Sequence, residues 1–209
     1  ILARPAIGRL MDIRGRIPVM RFGGLIHCAV AGLYLIVDAC CGDAWFMVAI
    51  VRLIQGVAEA MLFTVFFTYA ADIIPPTRRT HGIALFGISG ILPLGVGALL
   101  GDWIIRGDDY TGFFLVMGGA AFAGLFISLL LPETLRSPRP TRSLLAAATA
   151  HELRPLWLAG IGLAVGLATY FVFLKTYLLV FPELGSMGLF FTIYTLAAVL
   201  LRLFFGWVP

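Results

Sequence analysis

Glu59 and Arg52 are the only charged side chains in residues 45 to 71, a run otherwise made of apolar and small residues. At 100° per residue, Arg52, Gln55, Gly56 and Glu59 fall within about 100° of one another on one helix face. They form a polar stripe on an oily helix. A carboxyl in that position can be neutral in one state and charged, or bound to a cation, in another, which is the property proton coupling requires. The same stripe serves equally well as a paired lock between helices. Tyr170 and Tyr177, seven apart with Thr169 and Phe173, offer aromatic surface and hydroxyls to a cavity, although ordinary packing explains them as well. Lys175 sits close enough to the end of its apolar run to be a snorkelling lysine. A second constellation is Asp12 with Arg16 four residues on and Asp72 further along. Placed at helix ends, these charges can form a latch that opens and closes by exchanging partners, or a solvated loop that does nothing of the kind.

The elements that position these residues follow from composition. Of 209 residues, 61% are hydrophobic and 12% charged, against about 45 to 50% and about 25% in soluble domains. A soluble globular enzyme is excluded. Uncharged stretches of 23 residues separate Asp109 from Glu133, 20 separate Arg154 from Lys175 and 18 separate Glu183 from Arg202. Such lengths match the roughly 20 residues with which a helix crosses a bilayer. Crossings are predicted over 18 to 37, 45 to 72, 82 to 104, 111 to 131, 156 to 180 and 187 to 208, with residues 1 to 8 the tail of an earlier helix.

If the crossings alternate, segments 9 to 17, 73 to 81 and 132 to 155 share one side. With adjoining helix ends they hold eleven arginines, from Arg4 to Arg154, whereas the opposite side holds Arg106 against Asp38, Asp43, Asp102, Asp108, Asp109 and Glu183. This bias places the basic segments in the cytoplasm of a plasma membrane, the inner membrane in a bacterium. The net charge of +4 is then a matter of topology, and no nucleic-acid partner is implied. Pro132, Pro138, Pro140 and Pro155 mark the longest loop as a linker. The expected division is a first helical bundle over 1 to 131, a linker over 132 to 155 and the start of a second bundle over 156 to 209.

Catalytic patterns are poorly served. Gly87-Ile88-Ser89-Gly90 matches the Gly-x-Ser-Gly of intramembrane serine proteases, but no histidine follows His151 to act as base. No metal, cofactor or disulfide framework can be built from Cys28, Cys40 and Cys41. The expectation is a protein that is not an enzyme and needs no cofactor, with a proton gradient as energy source. Gly97-Ala-Leu-Leu-Gly101 and Gly162-Leu-Ala-Val-Gly166 are small-residue pairs suited to close helix contact, and Pro93 is expected to kink its helix.

An internal repeat relates the two ends: Arg4-Pro-Ala-Ile-Gly8 lies opposite Arg202-Leu-Phe-Phe-Gly206 at an offset of 198 residues. The first copy continues as Gly8-x-x-x-Asp12-x-x-Gly15-Arg16, which resembles the loop signature of the major facilitator superfamily, with Ile13 where that family usually has an arginine. Arg52-Leu-Ile-Gln55-Gly56 is similar to the family's fourth-helix element, and Asp72-x-x-Pro75-Pro76-x-x-Arg79 to its cytoplasmic exit. Gly90-x-x-Pro93-x-Gly95-x-Gly97 resembles the fifth-helix signature of antiporters without its Gly-Pro pair and closing Gly-Gly. Pro132-Glu133-Thr134-Leu135 is similar to the end of the sixth helix.

The resemblance implies an all-α, multi-pass membrane helical bundle of the major facilitator type, here a partial chain running from the end of the second helix to the eighth of twelve. It also implies secondary active transport by alternating access. The expected activity is proton-coupled export of small organic molecules, with uptake of a sugar, organic acid or other metabolite as the alternative and a non-transporting scaffold or receptor as a different class. Glu59, Arg52, Gln55 and Tyr170 are the candidates for substrate or proton coupling. Gly8, Asp12, Gly15, Arg16, Asp72 and Arg79 are those for gating, and Gly90, Pro93, Gly95 and Gly97 those for hinge and packing. The partners are a small-molecule substrate and the lipid bilayer, with the oligomeric state not legible.

Overall fold

The computed structural model describes residues 4–40, 45–105, 110–135, 151 and 154–205, and among them the chain is helical with no strand. The helices are α1 (Arg4–Arg14), α2 (Arg16–Cys40), α3 (Trp45–Ile73), α4 (Arg79–Phe86), α5 (Ile88–Ile104), α6 (Tyr110–Leu129), α7 (Arg154–Val180) and α8 (Met187–Phe205), with single 3-10 turns at Pro76–Arg78 and Pro182–Leu184. Among the described residues six spans are long and apolar enough to cross a membrane: Arg16–Cys40, Trp45–Ile73, Pro76–Ile104, Tyr110–Leu129, Trp157–Val180 and Pro182–Phe204. Each coincides with one predicted crossing. Arg52 and Glu59 do not interrupt α3, because six mostly apolar or small residues lie between them and carry the helix past both.

Two boundaries differ from the sequence reading. Segment 9 to 17, expected as a loop, is helical to Arg14 and turns on Gly15 alone. The Gly15 amide donates to the Met11 carbonyl at 3.0 Å and its φ is +100°, a left-handed cap that ends α1 and lets α2 start at the next residue. The crossing over 82 to 104 breaks at Gly87, between α4 and α5, while Pro93 lies inside α5. Proline deprives the carbonyl one turn earlier, that of Ser89, of its helical donor. Next to it the Gly90 amide bonds the Gly87 carbonyl three residues back at 3.2 Å, so the disturbance appears ahead of the proline, where glycines give way most easily.

The chain forms two compact units, residues 1–86 with 104–141 and 209, and residues 87–103 with 142–208. This partition by packing does not follow the linker-based division, since most of α5 packs with the later helices. In the first unit α2 is central, against α3 on one side and α6 on the other. Small residues allow the approach: a Cβ at Gly23 would lie 3.1 Å from Met61 Cβ, one at Gly24 3.0 Å from Leu125, and one at Gly118 3.2 Å from Ala31 Cβ. One core joins Ile7, Met11, Ile17, Val19, Met20, Met61, Val65 and Tyr69, and a smaller one Val30, Tyr34 and Val51. Most other apolar side chains of the helices are exposed, among them Leu53, Leu130, Leu158 and Leu163, as expected of surfaces that face lipid or further helices rather than water.

In the second unit α5 meets α8 at Gly95, where an added Cβ would stand 2.9 Å from Thr195 Oγ1 and 3.2 Å from the Phe191 carbonyl, and Phe171 of α7 stacks on Phe191 of α8 at 5.3 Å. Of the expected small-residue pairs, Gly97, Gly162 and Gly166 face open space, whereas Gly101 is buried. The close approach falls to Gly95 and Gly188 instead. Gly206, the second copy's glycine, lies outside the described residues.

Candidate functional site

Two polar constellations stand out in the first unit, one at the basic end of the helices and one within α3. The first is built around Arg16, the largest fully buried side chain among the described residues, at 1% exposure. Burying a guanidinium is costly unless its donors are satisfied. Here Nε donates to Asp72 Oδ2 at 3.0 Å, and Nη1 to the Met11 carbonyl at 2.9 Å and to Asp12 Oδ1 at 3.3 Å. Asp72 also accepts the Thr134 hydroxyl at 3.1 Å. The three basic segments predicted to share one side are thus physically joined by ends of α1, α2 and α3 and the strand of chain after α6.

Glu133 completes this end and was missed as a site residue. Its Oε1 accepts the amides of Arg16, Thr134 and Leu135, each at 2.9 Å, and its Oε2 that of Ile17 at 2.9 Å. Arg16 and Ile17 open α2, and the third residue, Pro18, has no N–H, so a carboxylate 117 residues away satisfies the free donors of this helix start. Partial burial of the carboxyl works against its charge, but the backbone donors of Leu135, Arg16, Ile17 and Thr134 outweigh it and hold Glu133 below the ordinary carboxylate range. Gly15 is doubly determined: beside its positive φ, a Cβ there would meet Glu133 Oε2 at 2.5 Å. The Tyr69 hydroxyl fixes the same segment by donating to the Pro132 carbonyl at 3.0 Å, and Arg21 Nη2 donates to the Leu129 carbonyl at 3.1 Å. One sequence signal was available. Asp12, Asp72 and Glu133 are acids on a side dominated by arginines, and all three gather around one of those arginines.

Of the other gating candidates, Gly8 has nothing within 4 Å of an added Cβ, and Arg79 is exposed at the start of α4, outside the cluster.

The second constellation runs along α3. Gln55 Nε2 donates to Glu59 Oε1 at 2.8 Å, Arg52 Nη1 approaches Gln55 Oε1 at 3.5 Å, and the Tyr34 hydroxyl of α2 donates to that same oxygen at 2.9 Å. The predicted stripe is therefore a connected chain of polar groups. Tyr34 was not singled out, because a lone tyrosine in an apolar run carries no signal of what faces it. Its ring stacks on Phe114 of α6 at 4.9 Å, within 3° of parallel, and the Arg52 guanidinium lies 6.0 Å from its centre. Arg52 and Glu59 are exposed and form no salt bridge with each other, being two helical turns apart. The stripe lies on an open side of α3 next to α2, with one pole of each charge available. Tyr170 belongs to α7, but its side chain lies outside the described residues, as does that of Lys175. Gly56, Gly90 and Gly97 face open space, and Gly95 alone of the hinge glycines is in close contact. No group of three or more histidine, cysteine or acidic residues able to hold a metal occurs among the described residues.

Comparison with known proteins agrees with this geometry. The family described as the Major Facilitator Superfamily matches residues 1–208. Among curated proteins, the chain is 35% identical over 106 residues to multidrug resistance protein 3 of Bacillus subtilis (strain 168), an alignment covering 48% of this chain and 19% of that protein. No solved structure matches significantly. With its multi-pass apolar helices and a family match over nearly its whole length, the chain belongs to the major facilitator superfamily, a family of membrane transporters.

Proposed function

We propose that this chain acts in secondary active transport by alternating access, exporting small organic molecules, drugs or metabolites, in exchange for protons. The observation that carries this reading is the Tyr34–Gln55–Glu59 chain on α3. It presents a carboxylate, held at one oxygen by an oriented amide, on an exposed face of a membrane-spanning helix. Glu59 is the group that takes up and releases the proton, Gln55 orients it, and Arg52 supplies the opposite pole. The aromatic surface of Tyr34 and Phe114 offers apolar contact to an organic substrate. Export is favoured by similarity to a protein named for multidrug resistance. Uptake of a sugar, organic acid or other metabolite is the alternative, and the incomplete Gly90 to Gly97 element is what keeps it open.

The Arg16 cluster makes the basic end of the first unit move as one piece. Asp12, the more exposed of the two acids paired with the Arg16 guanidinium, with 39% of the side chain accessible against 21% for Asp72, is the partner free to exchange during gating. The basic segments lie in the cytoplasm of the plasma membrane. In the complete protein reconstituted in vesicles, Glu59→Gln should abolish substrate-dependent proton flux while expression is unchanged. Wild-type flux in that variant overturns the coupling role.

A further inference from the structure

Glu59 has two arginines near it, and the structure does not treat them alike. On its own helix Arg52 lies two turns away, about 10 Å along the axis, and is held there: its guanidinium approaches Gln55 Oε1 at 3.5 Å and lies 6.0 Å from the centre of the Tyr34 ring. The second is Arg4 of α1, which its place in the sequence groups with the basic side. It opens a helix of 11 residues that ends at Arg14, so it stands about 15 Å from the basic end, near the middle of a hydrocarbon core about 30 Å thick. Ile7 and Met11 fix α1 at this height, since they share a core with Met61, Val65 and Tyr69 of α3. The internal repeat uses the same position twice, with Arg202 as the counterpart of Arg4.

A cation at that depth is costly and calls for a partner. The Arg4 guanidinium lies 4.8 Å from the centre of the Phe63 ring on α3, a contact that orients the group without neutralising it. Among the described residues it has no ion pair. Phe63 follows Glu59 by one turn on the same helix face, where neighbouring Cβ atoms stand about 5–6 Å apart. A rotamer change along the arginine stem therefore carries the guanidinium from the ring to the carboxyl. Glu59 Oε1 is held by the Gln55 amide at 2.8 Å, and Oε2 has no hydrogen bond among the described residues. Arg4 gives up no hydrogen bond to reach it, whereas Arg52 would have to leave Gln55. On α2, Tyr34 meets Gln55 and Gly23 meets Met61, so His27 between them is level with Glu59, its Nδ1 buried without a hydrogen bond. The remaining charges of α1, from Arg9 to Arg14, and Arg79 and His81 of α4 lie toward the basic end.

We propose that Arg4 is the counter-ion of Glu59: its guanidinium pairs with the carboxylate when the proton has left and rests on the Phe63 ring when the proton is bound. Arg4 is thus a positioning residue that acts through Glu59, and its role rests on the reading of Glu59 as the proton-carrying group. The test follows the titration of that one carboxyl in the complete protein in vesicles, through the infrared band of its protonated form, identified by its loss in Glu59→Gln. Arg4 is exposed, so Arg4→Gln leaves the core intact. It should move the midpoint to higher pH by about 1 pH unit or more, the effect of an adjacent arginine on a carboxyl, because the charged form loses its positive neighbour. The pH profile of substrate-dependent proton flux should move with it. Arg4→Lys, which keeps the charge and loses the planar stack, should restore most of the midpoint. An unmoved midpoint in Arg4→Gln, an equal displacement in Arg4→Lys, or a larger one in Arg52→Gln or His27→Gln overturns the pairing. A displaced infrared midpoint in Arg4→Gln together with wild-type flux in Glu59→Gln upholds the pairing and sinks the coupling role. Lost flux in Glu59→Gln with an unmoved midpoint in Arg4→Gln does the reverse.

Discussion

The Arg16 cluster and the α3 stripe use similar residues to opposite ends. In the cluster the guanidinium is buried and bonded to two carboxylates and a carbonyl, and the Glu133 carboxylate accepts four amides. In the stripe Arg52 and Glu59 are exposed, and the side-chain hydrogen bond of each is with Gln55. Saturated charges are rigid, because any movement strands a buried polar group. Charges with spare bonding capacity can bind and release. The difference separates frame from site: the first region should matter for stability, the second for transport.

The hardest blow to the frame is Arg16→Met. Removing one partner of a buried ionic group costs about 3–5 kcal/mol, so thermal unfolding in detergent should show a large loss of stability, with Asp72 left to Thr134 alone. A neutral result would mean that the cluster is ornamental. Gly15→Ala comes next, at about 1–3 kcal/mol for strain at positive φ, raised by the encounter with Glu133. Gly8→Ala, seven residues away on the preceding helix and facing open space, should instead be neutral or stabilise by up to about 1 kcal/mol. Equal effects at the two glycines would contradict the assigned geometry.

Glu133→Gln should cost about 0.5–2 kcal/mol, the range for a lost helix cap. Because the folded protein holds this carboxyl below the ordinary range, its contribution is fully present at neutral pH and is lost as pH falls through the lowered value. Stability measured against pH should therefore fall less steeply on the acid side in the Gln variant than in the wild type. Parallel curves would remove the assignment. Tyr34→Phe, at about 0.5–1.5 kcal/mol for one hydrogen bond, should be the mildest in stability yet should impair transport, because Gln55 loses the donor that orients its amide toward Glu59.

The spans were legible because apolar length alone reports a membrane crossing, and the joined basic segments because arginines sort by side. The stripe on α3 was legible because three polar residues at helical spacing on one oily element betray their shared face. What the sequence concealed are partners contributed by distant segments. Glu133 caps a helix 117 residues away, Tyr34 reaches Gln55 from another helix, and Asp102 meets Gly188 across 86 residues. Periodicity reports the face of a single element and not what that face touches. The break at Gly87 has the same origin, since proline names the lost donor while neighbouring glycines decide where the backbone yields.

The division between frame and site is tested most directly by measuring thermal stability and substrate-dependent proton flux together in Glu59→Gln and Glu133→Gln of the complete protein. The account predicts a crossed pattern: Glu59→Gln keeps the wild-type melting temperature and loses flux, while Glu133→Gln melts lower and retains flux at temperatures where it is folded. If Glu59→Gln melts as low as Glu133→Gln and still moves protons with substrate, the stripe is part of the frame and the site lies elsewhere.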